Sequence, residues 1–104
     1  MSTKKIVNKM RPVHPGEILK EELDVINLSA NAFAIKLHVP ANRITAILNE
    51  ERGISPETAI RLARFFGTKP EFWLNLQRDF DLKTTQNKFG KKINHDVEPY
   101  ADVA

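Results

Sequence analysis

Residues 30 to 49, ANAFAIKLHVPANRITAILN, hold two short apolar patterns on either side of a turn, and their spacing leaves little choice of geometry. Phe33 and Leu37 mark the inner face of a first helix, and Ile44 and Ile47 that of a second. Helices this short cross at a steep angle, so the first needs a small residue where they touch, and Ala34 stands there. Pro40 would cost a hydrogen bond inside a helix, and so marks the start of the second one. His38 takes the first position of the turn, where the chain passes through the left-handed region that glycine adopts freely and histidine tolerates at some cost. It reads as a surface turn residue. The pattern matches a helix-turn-helix, the arrangement that sets its second helix in a DNA major groove.

On that reading Asn42, Arg43, Thr45, Ala46 and Asn49 are left on the outer face of the second helix. Their chemistry suits base edges: asparagine pairs with adenine, arginine with guanine, and threonine or alanine touches a thymine methyl. Phosphate contacts fall to other residues. Ser29 and Asn31 stand at the N-terminus of the first helix, where backbone N–H groups favour an anion, and Lys36 and Arg52 add positive charge. One domain makes few such contacts, so specific recognition calls for two copies on a palindrome with half-sites about 34 Å apart.

The rest of the chain supports one small helical domain. A length of 104 residues allows a single core, and neither the arm MSTKKIVNKMRP nor any later segment has the apolar run of a signal peptide or membrane span. A cytoplasmic setting is expected, and the absence of cysteine excludes disulfides and thiolate chemistry. Of the net charge of +3, all the excess lies in residues 1 to 45, with seven Lys or Arg against four Asp or Glu. Such a bias favours phosphate, and is also common on plain solvated surfaces.

Along the chain, residues 1 to 13 read as a flexible arm. Pro15 opens a helix over about 15 to 26 with Leu19, Leu23 and Ile26 in its stripe. Ser29 is placed to cap the next helix, about 30 to 37, and the one after it covers 41 to 49. Ser55-Pro56-Glu57 starts a fourth helix with Ala59, Leu62, Ala63 and Phe66 inside, ended by Gly67. Thr68-Lys69-Pro70-Glu71 has capping-box spacing, and Phe72, Trp73, Leu76 and Phe80 carry a fifth helix to about 83. Phe72-Trp73-Leu74 is apolar on more than one side; it either fills a small core or leaves a surface for a second copy. Residues 84 to 104 lose the helical period and read as a flexible tail, which Ile93, Val97 and Tyr100 could order against a partner.

No catalytic group is evident. His14, His38 and His95 lack any metal-ligand spacing, and Glu21-Glu22 and Glu50-Glu51 read as solvating charges, so neither enzyme, metal nor cofactor is expected.

HPGEIL at 14 to 19, the helix-turn-helix, RGISPETAIRLARFFGT at 52 to 68 and EFWLNLQ at 71 to 77 with Asp81-Leu82 together resemble the HigA-type antitoxins, or VapI group, within the XRE class of helix-turn-helix regulators. The resemblance implies an all-α, compact five-helix bundle of the lambda-repressor-like kind spanning 14 to 83. It also implies a homodimer that binds a palindromic operator at its own promoter and neutralises a small RelE-like, mRNA-cleaving toxin, HigB. The dimer surface would fall on Trp73, Leu74, Tyr100 and the segment after Leu82. Two positions depart from the family pattern: His38 replaces the turn glycine, and Glu50-Glu51 stand where Asn-Gly and a basic residue are common. The alternatives are a solitary XRE-type repressor, or an interaction module that keeps the bundle without DNA binding.

Overall fold

The computed structural model describes residues 11 to 101, and every element in that span is helical. The helices are α1 (Pro15–Val25), α2 (Ala30–Leu37), α3 (Ala41–Leu48), α4 (Pro56–Phe66) and α5 (Pro70–Asp96). α1 packs on α3 and α5, α2 on α3 and α4, and α4 on α5. The expected five-helix, all-α architecture is therefore the observed one.

Local chemistry sets most of the boundaries. Ser29 Oγ accepts the Ala32 N–H at 3.2 Å and Ser55 Oγ accepts that of Thr58 at 3.2 Å, so two orphan donors are satisfied by the hydroxyls expected to cap. α2 ends with His38 in the left-handed region at φ 59°, as its turn position required, and α4 ends with Gly67 at φ 74°. α1 and α4 both begin with proline, whose missing N–H costs nothing in a first turn.

The core is built from Leu19 and Leu23 of α1, Phe33, Ala34 and Leu37 of α2, Ile44 and Ile47 of α3, Ala59 and Leu62 of α4, and Trp73 of α5. Phe33 lies at its centre, with ring centroids 5.1 Å from Phe65 and 5.7 Å from Phe66; Phe66 in turn lies 5.7 Å from Trp73. Ile26, expected in the α1 stripe, is half-exposed as the C-cap instead.

Four expectations are corrected. Trp73 is 1% exposed, so it completes the protomer core and offers nothing to a second copy. The capping box does not form: Lys69 is the N-cap without a side-chain bond, and Thr68 Oγ1 instead accepts the Trp73 indole N–H at 3.2 Å. A buried indole donor needs a partner more than an exposed helix end does. The third correction concerns the tail, since α5 continues without a break to Asp96. Nothing between Leu82 and Pro99 forbids helix, and Lys92 pairs with Asp96 at 2.6 Å across one turn. Finally, the arm is fastened where it meets the bundle: Arg11 donates to Glu17 at 2.8 and 3.2 Å and Val13 packs on the core. The rest of the arm, residues 1 to 10, and residues 102 to 104 lie outside the described residues.

Candidate nucleic-acid interface

α2 and α3 form the two-helix unit, and Ala34, 1% exposed, stands where the crossing requires a small side chain. Ile44 and Ile47 anchor α3 from beneath with no exposure at all. Asn42, Thr45 and Asn49 are exposed and Ala46 is partly so. Thr45 already donates its hydroxyl to the Ala41 carbonyl at 2.8 Å. Asn49 is the C-cap of the helix.

Arg43 departs from the outward reading. Its side chain is only 20% exposed and its Nη1 donates to Glu57 Oε1 at 3.0 Å, which draws the guanidinium toward α4. The other oxygen of Glu57 accepts from Arg61 Nη2 at 3.0 Å, and Arg61 Nη1 donates to the Leu37 carbonyl at 2.8 Å. The result is a continuous polar bridge from the end of α2, through α4, to α3. The hydrogen bonds from Arg61 and then Arg43 hold the Glu57 carboxyl below its ordinary range.

Two further contacts fix α3 and the loop after it, and both involve residues to which composition and spacing assigned no role. His14, 3% exposed, caps α1 by accepting the Gly16 N–H on Nδ1 at 2.9 Å, and its ring meets Phe80 edge-on at 4.8 Å. Gly16 then lies against the last turn of α3: a Cβ there would overlap the Ile47 carbonyl oxygen. The motif HPGEIL thus has a mechanical reading, a cap followed by a residue small enough to seat α1 on the backbone of α3. Gln77 holds the loop from the other side. Its Oε1 accepts the Ile54 N–H at 2.7 Å while its Nε2 donates to Asp81 at 2.9 Å, which accounts for part of LNLQ and the following Asp81.

The phosphate candidates fall in different places. Ser29 is the N-cap of α2, with Asn31 exposed in its first turn. Lys36 is in the last turn of α2, beside a groove shared with His38, Arg61 and Arg64. Arg52 is exposed in the loop after α3, next to Glu50 and Glu51. Glu50 itself lies in the left-handed region at φ 63°, which explains why asparagine or glycine suits this position better. Among the described residues no group of His, Asp and Glu is arranged to hold a metal, and no helix is long and apolar enough to cross a membrane.

The geometry is that of a helix-turn-helix protein, and comparison with known proteins agrees. A Helix-turn-helix family model matches residues 19–73. Virulence-associated protein I of Dichelobacter nodosus is 50% identical over 80 residues, covering 76% of this chain and 74% of that protein. A HigA-family addiction module antidote protein from Coxiella burnetii is similar in structure with TM-score 0.85 and 58% identity, over 86% of this chain and 99% of the other. The Pseudomonas aeruginosa antitoxin HigA, solved with the higBA promoter, gives TM-score 0.84 and 47% identity over 86% and 98%. The chain belongs to the HigA-type (VapI) antitoxins of the XRE helix-turn-helix class. Relatives of this chain include helix-turn-helix transcriptional regulators and a HigA antitoxin, and a member of that family is not an enzyme.

Proposed function

We propose that this chain is an autoregulatory antitoxin, acting in the cytoplasm as a homodimer that binds a palindromic operator upstream of its own gene and neutralises a HigB-like, RelE-type mRNA-cleaving toxin. The observation that carries the DNA part is the match, along most of both chains, to a HigA solved with its promoter, together with the exposure of Asn42, Thr45 and Asn49 on α3. Base reading is assigned to these three and Ala46. Ser29, Asn31, Lys36 and Arg52 supply the phosphate contacts, and they carry no sequence information.

The dimer reading rests on α5. Beyond Leu82 this helix leaves the bundle, and the described residues extend 54 Å in one direction against 28 and 23 Å in the others. The stretch from 83 to 96 is only 14 residues of helix, a length that is marginal without packing. Leu82, Phe89 and Ile93 recur on it at helical spacing and are 54%, 43% and 51% exposed, so a second α5 is the cover proposed, with Leu74 and Tyr100 at its margins.

A gel shift with the gene's own upstream DNA tests the repressor role. A retarded band that resists a large excess of unrelated duplex is expected, and its absence refutes that role. Co-expression with the neighbouring reading frame tests the antitoxin role through growth rescue and co-purification; rescue without a complex, or neither, would count against it. Sedimentation of Phe89→Asp tests the dimer: the parent should sediment as a dimer and the variant as a monomer, and a monomeric parent would refute the interface.

A further inference from the structure

The recognition helix ANRITAIL contains one charged residue, Arg43, and the fold does not leave it free for DNA. Glu57 stands in the first turn of α4, where a carboxylate is favoured by the helix dipole, and gives one oxygen to Arg43 and the other to Arg61. Both contacts are 3.0 Å, hydrogen-bonded ion pairs of ordinary length. Arg61 is held independently by the Leu37 carbonyl. The carboxylate therefore has one partner on its own helix and a second on α3.

We propose that Glu57 is a specificity-determining residue: it holds the single cation of the recognition helix against α4 and so keeps it from pairing indiscriminately with DNA. This inference rests on the DNA-binding reading above. A free arginine at the third position of α3 would add one phosphate contact on any duplex, which steepens the salt dependence by about 0.9 in log–log slope and amounts to about eightfold in affinity at 0.1 M salt. It would also take guanine edges wherever they are offered. A non-specific complex is free to slide and place that extra cation at its best position. A complex held in register by Asn42, Thr45 and Asn49 has no such freedom, so the gain falls mainly on the wrong sequences. With Arg43 neutralised by Glu57, choice is left to the uncharged face.

The test is fluorescence anisotropy with the parent, E57Q, R43Q and the double variant. Each is titrated against the gene's upstream duplex and a scrambled duplex of equal composition, across a series of salt concentrations. The amide introduced by E57Q keeps an acceptor for Arg61, whose bond to Leu37 is untouched, so this variant is expected to fold; a thermal melt checks it. E57Q should bind the scrambled duplex about eightfold more tightly at 0.1 M salt with a slope steeper by about 0.9, and its preference for the upstream duplex should fall. Adding R43Q should abolish the gain. An E57Q that keeps the parent's slope and scrambled-duplex affinity overturns the proposal, as does a gain that survives in the double variant. A parent that binds neither duplex overturns the DNA-binding reading and this proposal with it, whereas a parent that binds and an E57Q identical to it overturn this proposal alone.

Discussion

Replacing Gly16 by alanine adds one methyl group at the place where α1 meets the recognition helix, and the structure indicates what it would cost. The new Cβ overlaps the Ile47 carbonyl oxygen and stands 3.1 Å from the Ile47 carbonyl carbon and 3.0 Å from His14 Nδ1. The first two are backbone atoms of α3, so relief requires whole elements to shift. Overpacking of this kind costs about 1 to 3 kcal/mol. Moving Gly16 also disturbs the bond its N–H makes to His14, and a lost N-cap costs about 1 kcal/mol. Alanine returns about 0.5 kcal/mol of helix propensity in a first turn. The net expectation is a loss of about 1.5 to 3.5 kcal/mol, or a fall in Tm of roughly 6 to 28 °C for a domain of this size. Calorimetry and urea unfolding of the parent and Gly16→Ala would measure it. A midpoint within about 2 °C of the parent's would show that α1 is not seated on α3 through this glycine.

Three other perturbations test separate contacts. Glu50→Gly removes a non-glycine residue from φ 63° without removing any packing, since Glu50 is exposed, and should stabilise by about 1 kcal/mol in a thermal melt; an unchanged or lower midpoint would show no strain at that position. Gln77→Ala leaves the Ile54 N–H without its acceptor and should cost about 1 to 3 kcal/mol, with faster amide exchange at Ile54. The folded-state pKa of Glu57 is depressed, so its contribution is present above the unfolded glutamate range and is lost as pH falls through the depressed value. The stability difference between the parent and Glu57→Gln should therefore shrink on acidification, and a difference independent of pH would contradict the arginine bridge.

The parts of the fold that were legible in the sequence are those governed by local rules. Ser29, Ser55, Pro15 and Pro56, Gly67 and the spacing of Ala34, Ile44 and Ile47 each act within a turn or two of themselves, and the structure places them as that chemistry requires. Thr68 shows the limit of such rules. Its spacing to Glu71 fits a capping box, but the indole of Trp73, fixed by the core, competes for the same hydroxyl. The length of α5 is not legible locally: residues 84 to 104 lack a clear helical period, although Leu82, Phe89 and Ile93 keep helical spacing within the helix that runs to Asp96. The candidate site divides in the same way. The exposed positions on α3 follow from helical period alone, whereas the capture of Arg43 by Glu57 joins residues 14 apart on different helices. HPGEIL and LNLQ were visible as motifs, yet their work, seating α1 on Ile47 and pinning Ile54, is tertiary.

The proposed function requires α2 and α3 to read DNA although Glu50 and Glu51 lie beside the loop that would face phosphate. Anisotropy titration of the intact chain with its own upstream duplex, at 50 and 200 mM salt and against a scrambled control, tests this most directly. A preference of about a thousandfold or more for the upstream duplex is expected, with affinity that falls steeply with salt as phosphate contacts are lost. Equal binding of the two duplexes, or binding indifferent to salt, would contradict it and leave the bundle as an interaction module alone.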